Sequence, residues 1–375
     1  MKIPYARSLF GSRRPSRLMR RDWDLRARAN ALYYIDCGHG ESESEFWASG
    51  RKDLDQLILR DIRLAPDAVT VEIGCGIGRI LRPLAGRTGR AFGVDISREM
   101  VRRARRGLRD VPNARVFRTK GSLDKIPDAA CDFVYSFIVF QHIPVKSAVS
   151  LYIGEAARVL KGGGIFRFQA DGRASAEAAA TDTWNGVRYA AVELRGELGA
   201  AGFEVLDATG EDTQYMWLTA RRRLEAGRSA SSAAQFSGAV WDVPALERLA
   251  GRLGHDPAET AARIFRGETG VRRLAEDFIA AHRDAAPADY VRRAYRTILD
   301  RDPDPDGLAF YTREIESGIA RENVVDCLIA SPEFDAKHRT KRPAAASATS
   351  ATTRPSLTAE STRPSLTAES GPEEA

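Results

Sequence analysis

The fold of this chain is decided by one stretch, Val71-Glu72-Ile73-Gly74-Cys75-Gly76-Ile77-Gly78-Arg79-Ile80. An apolar run ends in glycines at alternate positions, and an amphipathic segment follows. Glycine adopts positive φ angles without strain and lets a ligand approach the backbone closely. The stretch therefore predicts a buried strand, a tight ligand-binding turn and a helix.

The spacing of the glycines argues against a dinucleotide site. Dinucleotide-binding enzymes place a third small residue where this chain has Arg79, because helix and sheet pack closely there. A guanidinium at that position opposes such packing. The turn is therefore expected to bind a different ligand.

Residues 51–223 alternate short apolar runs with amphipathic segments, which is typical of a parallel sheet covered by helices. No clear helix separates the last two apolar runs, so we expect the sheet to end in an antiparallel hairpin. The predicted strands are 69–73, 91–94, 114–117, 133–137, 164–169, 203–207 and 213–218. The predicted fold class is α/β, with a seven-stranded, mostly parallel sheet.

Composition excludes several other classes of protein. The chain has 57 Lys and Arg against 51 Asp and Glu, and 43% of its residues are hydrophobic, as in globular proteins. Its longest nearly unbroken apolar run, 133–140, is far shorter than the roughly 18 residues of a membrane span. Its four cysteines form no C-x-x-C pair, so neither a metal site nor a disulfide framework is expected. We expect a cytoplasmic protein.

Further motifs follow the glycine stretch in order. The second predicted strand ends in Asp95, 19 residues after Gly76, and continues as Ile96-Ser97-Arg98-Glu99-Met100. The fourth leads into Gln141-His142-Ile143-Pro144, and residues 155–164 read Glu-Ala-Ala-Arg-Val-Leu-Lys-Gly-Gly-Gly. Together these motifs resemble those of class I S-adenosylmethionine-dependent methyltransferases. The resemblance implies a Rossmann-like sheet and S-adenosyl-L-methionine as cofactor.

The resemblance also implies which residues hold the cofactor. Asp95 would accept hydrogen bonds from the ribose hydroxyls, and the alternative is a cap on the next helix. The family's acid after the third strand, which reads the adenine amine, is absent, so the backbone of Gly121–Leu123 is the expected adenine contact. The expected cofactor-binding residues are Glu72, Gly74, Cys75, Gly76, Gly78, Asp95, Ile96, Met100, Gly121, Ser122, Leu123, Ser136 and Phe137.

One histidine stands near the expected site of methyl transfer. His142 would suit a general base, because its ordinary pKa is about 6.5, but closing the pocket by packing and hydrogen bonding is the equal alternative. The residues expected to line the acceptor site are Tyr34, Trp47, Tyr135 and Gln141. For Trp47 and the tyrosines, a purely structural role in the core is equally open.

The sequence lacks the motifs of two classes of DNA methyltransferase, which argues against DNA as the methyl acceptor. The sequence after the fourth strand, Ser136-Phe137-Ile138-Val139, carries neither the Asn/Asp-Pro-Pro-aromatic motif of amino-methylating DNA enzymes nor the Pro-Cys pair of cytosine-C5 enzymes. We expect O-methylation of a small molecule or of a sugar in a bacterial surface glycan. A non-catalytic scaffold is one alternative. RNA methylation through the arginines of 98–109 is the other, although a solvated helix face is the simpler interpretation.

The flanking regions complete the predicted organisation. Residues 1–50 form a basic helical lead or lid, in which Leu25, Ala29, Leu32 and Tyr33 share one helix face. The methyltransferase-like domain spans 51–223, and a linker with a helical segment spans 224–286. Residues 337–375 are expected to be a disordered tail, because they contain few apolar groups and a nine-residue repeat.

The segment 287–336 resembles a small helical bacterial domain of unknown function, distantly similar to phycobilisome linker domains. Such modules accompany glycan-modifying enzymes, which favours a glycan acceptor and, for the module, a protein partner. Its Asp302-x-Asp304-x-Asp306-Gly307 run starts like a calcium loop, but Arg313 stands where the bidentate Glu is needed. We expect Asp306 to cap the next helix instead.

Overall fold

The computed structural model describes residues 13–37, 42–173, 183–224, 232–265 and 269–341. Two helices, α1 (Arg13–Ile35) and α2 (Glu43–Asp53), precede the sheet and are followed by a π-helical turn at Leu54–Ile58. Helix α1 contains a kink at Asn30, where φ is −161° and ψ is 92°. None of the described helices is both long and apolar enough to cross a membrane.

A seven-stranded sheet forms the centre of the molecule, in the order β4-β3-β2-β5-β6-β8-β7. Strands β2 to β6 are parallel to one another, and β8 runs antiparallel to both of its neighbours, β6 and β7. The strands are β2 (Val69–Ile73), β3 (Arg90–Asp95), β4 (Ala114–Arg118), β5 (Cys131–Ser136), β6 (Leu160–Ala170), β7 (Phe203–Thr209) and β8 (Met216–Arg222). The predicted seven-stranded sheet with an antiparallel hairpin is thereby confirmed.

Burial explains why these segments form central strands. All six residues of β5 are buried, and so are four of the five residues of β2. Strands covered by helices on both faces carry such continuous apolar runs rather than an alternating pattern. The covering helices are α3 (Leu81–Ala85), α4 (Arg98–Gly107), α5 (Lys146–Val159) and α6 (Ala191–Ala200), with a short 3-10 turn at Phe140–His142.

The chain continues into a helical region with its own apolar core. Its helices are α7 (Val243–Arg252), α8 (Pro257–Phe265), α9 (Val271–Leu274), α10 (Glu276–Ala281), α11 (Pro287–Ala294), α12 (Pro305–Glu316), α13 (Arg321–Ile329) and α14 (Pro332–His338). Its most deeply buried side chains include Leu246, Tyr290, Val291, Ile298 and Val325. The helix expected at 289–299 is present as α11 and a π-helical turn at Tyr295–Leu299.

Two predicted boundaries differ from the structure. Within the expected linker, β9 (Ala234–Phe236) pairs with β1 (Ile62–Leu64). The expected tail begins at 337, but β11 (Arg339–Lys341) pairs with β10 (Ala239–Trp241). In these short strands the backbone N–H and C=O groups pair with a distant strand. Composition alone does not reveal such a pairing. The repeat at 353–370 lies outside the described residues.

The N-cap predicted for the helix that begins at Pro305 lies two residues too late in the sequence. The side chain of Asp304, not that of Asp306, accepts the hydrogen bond from the Gly307 N–H at 2.8 Å. Pro305 then occupies the first helical turn, where its missing N–H costs nothing. This part of the run therefore serves as a helix start, as expected, with a different capping residue.

Candidate active site

A cavity of about 860 Å³, open to solvent, lies at the carboxyl ends of β2, β3 and β5. Ligands of open α/β sheets bind at this edge, where the strand order reverses. The sheet supplies one side of the cavity, and α1 supplies the opposite side through Met19, Trp23, Tyr34 and Ile35. We call the sheet side the floor and the α1 side the roof.

The glycine turn forms the floor and needs its glycines. Gly74, Gly76 and Gly78 have φ angles of 79°, 53° and 91°. A Cβ on Gly74 would stand 2.3 Å from Val139 Cγ2, and one on Gly76 would stand 2.8 Å from Ile35 Cδ1. The turn is therefore closed on two sides by the protein itself, and only glycine fits.

Asp95 is bound to the glycine turn rather than capping a helix. Its Oδ2 accepts from the Gly76 N–H at 2.9 Å and its Oδ1 accepts from the Ser97 N–H at 2.8 Å. The cap of α4 is Ser97, whose hydroxyl accepts from the Met100 N–H at 3.1 Å. Burial raises the pKa of Asp95 to about 6. The structure thus excludes the interpretation that Asp95 is only the N-cap of α4, and ribose binding stays a prediction.

Glu72 brings a second buried carboxyl to the floor. It is 4% exposed, and its Oε2 has no hydrogen-bond partner. Burial raises the pKa of Glu72 to about 8, against the lowering effects of the Tyr135 hydroxyl and of Arg79. A buried carboxyl beside a cavity, with one oxygen that has no partner among the described residues, fits a ligand group that donates a hydrogen bond.

Arg79 occupies the position where the sequence argued against close packing, and the structure shows how it fits. Its guanidinium turns to the N-terminal helices and donates to Ser49 Oγ at 2.8 Å, Asp53 at 2.7 Å and Asp36 at 3.3 Å. Gly50 leaves the space, since a Cβ there would lie 2.4 Å from the Arg79 carbonyl oxygen. Arg79 therefore anchors the N-terminal region to the glycine turn.

A chain of side-chain amides reaches His142. Gln169 Nε2 donates to Gln141 Oε1 at 3.1 Å and to the Gln214 carbonyl at 3.2 Å, while its Oε1 accepts from the Ile138 N–H at 3.0 Å. This leaves the amide nitrogen of Gln141 facing His142 Nε2 at 3.5 Å. The Nε2 atom must then be the acceptor.

The other ring nitrogen of His142 agrees with that tautomer. Nδ1 lies 2.5 Å from the Trp184 carbonyl oxygen, so Nδ1–H is the donor there. Around the ring, Trp23 lies edge-on at 5.4 Å and Trp184 at 5.2 Å between centroids. These two contacts favour the tautomer of His142 with the proton on Nδ1, and the ring lies within an aromatic cluster on the cavity wall.

The structure brings ten of the predicted site residues to the cavity. These are Glu72, Gly74, Cys75, Gly76, Asp95, Ile96, Met100, Phe137, Tyr34 and His142. The cavity lining among the described residues does not include Gly78, Gly121, Ser122, Leu123, Ser136, Trp47, Tyr135 or Gln141.

The expected adenine contacts are occupied by other groups. The N–H groups of Gly121 and Ser122 both donate to Thr119 Oγ1 at 2.9 Å, and that of Leu123 donates to Glu155 Oε2 at 2.6 Å. Thr119 itself and Tyr152 line the cavity instead. The strand tip is therefore the better candidate for adenine contact than the turn that follows it.

The remaining predicted residues away from the cavity have structural contacts. Ser136 Oγ donates to the Ile73 carbonyl at 3.1 Å, and the Tyr135 ring stacks on Phe133 at 5.5 Å. Trp47 Nε1 donates to Glu43 within α2 at 3.4 Å. Gln141 is a neighbour of His142 and not a wall of the cavity.

Sequence reasoning missed the residues that reach the cavity through tertiary packing. They are Met19, Trp23, Ile35, Ile73, Arg79, Ile80, Thr119, Ile138, Val139, Ile143 and Tyr152. Ile138 has a φ angle of 51°, which is strained for a β-branched residue and typical of functional sites. The only signal for it in the sequence was its place after β5.

Most of the apolar residues predicted to share one face of α1 are exposed in the structure. Leu25 is 50% and Tyr33 45% exposed, whereas Ala27 and Ala31 are buried. The kink at Asn30 separates Leu25 and Ala29 from Leu32 and Tyr33, so the predicted face is not continuous. The face that packs inward carries Met19, Trp23 and alanines. Hydrophobic periodicity identified the helix and not the side that meets the sheet.

Comparison with known proteins gives two family matches. Residues 71–168 match a family described as a methyltransferase domain, and residues 274–338 match a domain of unknown function, DUF4214. Together with the strand order, the first match confirms the predicted class I S-adenosylmethionine-dependent methyltransferase fold. The second confirms the C-terminal domain of unknown function, which starts earlier than expected. The distant likeness to phycobilisome linkers stays a prediction.

Several solved structures resemble the chain. A chain in the complex between the Trm112 methyltransferase activator and a putative methyltransferase of Haloferax volcanii is 19% identical, with a TM-score of 0.43 over 54% of this chain and 98% of that one. A SAM-dependent methyltransferase of Aquifex aeolicus is 18% identical, with a TM-score of 0.37 over 47% and 98%. Phosphoethanolamine N-methyltransferase 1 of Haemonchus contortus is 14% identical, with a TM-score of 0.46 over 58% and 51%.

Proposed function

We propose that this chain is an S-adenosylmethionine-dependent methyltransferase that O-methylates a small molecule or a sugar of a surface glycan. The observation that best supports this proposal is a hydrogen bond of 2.9 Å on the floor of an open cavity. The Gly76 N–H donates it to the carboxyl of Asp95. This arrangement holds a carboxylate and a glycine turn in one place, as a nucleoside with a charged tail requires.

The residues of the floor fit the cofactor. Asp95 would hold the ribose, Met100 and Ile96 would flank the adenine, and Thr119 with Tyr152 would contact its edge. Glu72 has an unpartnered buried oxygen for the amino-acid end of the ligand. When bound, S-adenosylmethionine supplies an electrophilic methyl group.

The acceptor would enter on the side of His142. The aromatic cluster of Trp23, Trp184 and Tyr34 presents rings to that side, and Trp184 is 37% exposed. Aromatic faces next to hydrogen-bonding groups suit a sugar, whose ring has C–H faces and hydroxyl edges. Holding the hydroxyl in line with the methyl group is the main contribution of the protein.

His142 is the candidate for the proton acceptor. Its Nε2 carries the lone pair in the tautomer that the amides select, and its contact with Gln141 is 3.5 Å, at the long limit of a hydrogen bond. A hydroxyl of the acceptor would compete for that lone pair and pass its proton to Nε2.

Transfer of a labelled methyl group tests this function. The full chain is incubated with methyl-labelled S-adenosylmethionine and a panel of mono- and oligosaccharides, and the label is followed into the acceptor as an ether. His142→Asn should reduce turnover by about a hundredfold and leave cofactor binding unchanged. Cofactor binding by wild type without transfer to any hydroxyl acceptor would favour the non-catalytic alternative.

A further inference from the structure

The outer face of α1 is not used by the cavity and has an unusual composition. Its solvent-exposed side chains within 16–29 are Arg17, Leu18, Arg21, Leu25, Arg28 and Ala29. At about 100° per residue, they fall into two adjacent stripes, one of arginines and one of apolar residues. Leu18 is 37% and Leu25 is 50% exposed.

The acids of α1 are turned away from this face. Asp24 Oδ1 accepts from Ser97 Oγ at 2.6 Å and from the Glu99 N–H at 3.0 Å, at the start of α4. Asp22 Oδ2 accepts from Thr183 Oγ1 at 3.1 Å. Within the described part of the chain, Arg17, Arg21 and Arg28 form no salt bridge with an acidic side chain. The charged side chains that this face exposes within 16–29 are therefore all cationic.

The basic character continues beyond α1. Helix α4, which α1 contacts through Asp24, exposes Arg98, Arg102 and Arg106. Among them, only Arg102 is paired with Glu99, at 2.6 Å. The domain thus exposes basic side chains on α4 as well as on α1.

We propose that the outer face of α1 binds an anionic lipid bilayer surface. A helix that lies in a membrane interface combines an apolar stripe, which enters the headgroup region, with flanking Arg or Lys, which pairs with lipid phosphates. Arg17, Arg21 and Arg28 beside Leu18 and Leu25 supply both parts, and the helix is held flat on the domain by its inner face.

The apolar stripe distinguishes this partner from a nucleic acid. Binding of RNA phosphates needs the arginines alone, and single-strand binding adds aromatic side chains for base stacking. The face between 16 and 29 exposes leucines and no aromatic residue. Because the inner face of the same helix forms the roof, a bilayer bound here would lie beside the cavity that we propose for the cofactor.

Co-sedimentation of the full chain with vesicles tests the proposal without relying on any catalytic activity. Vesicles of phosphatidylglycerol and phosphatidylcholine in equal parts should bind the wild-type chain, and vesicles of phosphatidylcholine alone should not. Raising the salt to about 0.5 M should weaken binding, since screening reduces the charge attraction.

Two variants separate the stripes. Neutralising Arg17→Gln, Arg21→Gln and Arg28→Gln together should weaken partitioning by about a hundredfold. Leu18→Gln with Leu25→Gln should weaken it by about tenfold or more. All five positions face solvent, so the fold should tolerate the changes. Matched controls are Arg248→Gln, Arg283→Gln and Arg293→Gln, and Val192→Gln with Leu224→Gln, at exposed positions elsewhere.

Each outcome decides for or against the proposal. Loss of binding in both α1 variants, with both control variants intact, supports it. Failure of wild type to bind the anionic vesicles overturns it. Binding that needs the arginines but ignores the leucines, and that a single-stranded RNA competes away, also overturns it and assigns the face to a nucleic acid.

Discussion

The floor and the roof of the cavity are built in opposite ways. The floor joins residues that are close in sequence, such as Asp95 on Gly76, and uses backbone N–H groups. The roof depends on contacts between distant segments, for example Arg26 with Thr183 Oγ1 at 2.7 Å. The floor is thus specified largely by a short sequence motif, whereas the roof depends on packing between segments that are far apart in the chain. We therefore expect floor substitutions to abolish binding and roof substitutions to weaken it.

The largest effect is expected at Gly74, in the floor. Gly74→Ala forces a Cβ into Val139 at a φ angle of 79°, so the turn must change shape. The affinity for S-adenosylmethionine should fall by at least about a hundredfold, or about 3 kcal/mol. Calorimetric titration measures it.

Gly107→Ala is the matched control for that variant. Its added Cβ would meet no heavy atom within 4 Å. It should bind the cofactor as wild type does. Equal binding by Gly74→Ala and Gly107→Ala would contradict the account of the floor.

The second effect is a pH dependence of stability at Glu72. The pKa of Glu72 in the folded protein is about 8, above the ordinary value of 4.5. Between about pH 5 and pH 8 this carboxyl is therefore mostly protonated in the folded protein and mostly ionised in the unfolded chain. Folding stability should therefore fall as the pH rises through that window. Glu72→Gln removes the effect, and its advantage over wild type should grow by about 3 kcal/mol across the window. Urea denaturation at several pH values measures this.

Glu204→Gln provides the reference for the same titration. Glu204 lies on β7 with a side chain that is 58% exposed, next to Arg221. Its variant should follow the wild-type pH profile. Parallel profiles for Glu72→Gln and wild type would show that the floor does not hold a buried, protonated carboxyl.

The sequence predicted the floor of the cavity better than its roof. The sequence placed Gly74, Gly76, Asp95 and Met100 at the cavity because their signals lie within short motifs with a local backbone geometry. Trp23, Arg79 and Tyr152 were missed because their roles depend on packing between segments far apart in the chain. Periodicity located α1 but did not identify its buried side, where Ala27 and Ala31 pack with Phe46, Ile77 and Met100.

An intermediate effect is expected at Gln169, which connects the floor to the acceptor side. Gln169→Leu leaves the Ile138 N–H and the Gln141 amide without their partners and releases the tautomer of His142. Methyl transfer should slow by about tenfold while cofactor affinity stays within about twofold. Nitrogen chemical shifts of the His142 ring should show a mixture of tautomers.

Gln235→Leu serves as the comparison for Gln169→Leu, since Gln235 lies exposed on β9. Its turnover and the His142 ring shifts should match those of wild type. If Gln169→Leu kept the wild-type turnover and the wild-type tautomer of His142, the amide chain would not set that tautomer.

The smallest effect is expected in the roof, at Asp24. Asp24→Ala removes the acceptor that joins α1 to the start of α4, a loss of about 1 kcal/mol by analogy with helix caps. Cofactor affinity should fall only about fivefold, because the floor is unchanged. Asp110→Ala, at an exposed pair with Arg82, should not alter the affinity. A complete loss of binding in Asp24→Ala would show that the roof is as essential as the floor.

The central claim is that Asp95 and the glycine turn form the cofactor site. Calorimetric titration of S-adenosylmethionine into the wild-type chain, Asp95→Ala and the exposed-site control Asp67→Ala tests it most directly. We predict micromolar binding to wild type and to Asp67→Ala, and no measurable binding to a folded Asp95→Ala. Undiminished binding to Asp95→Ala, or none to folded wild type, would contradict the claim.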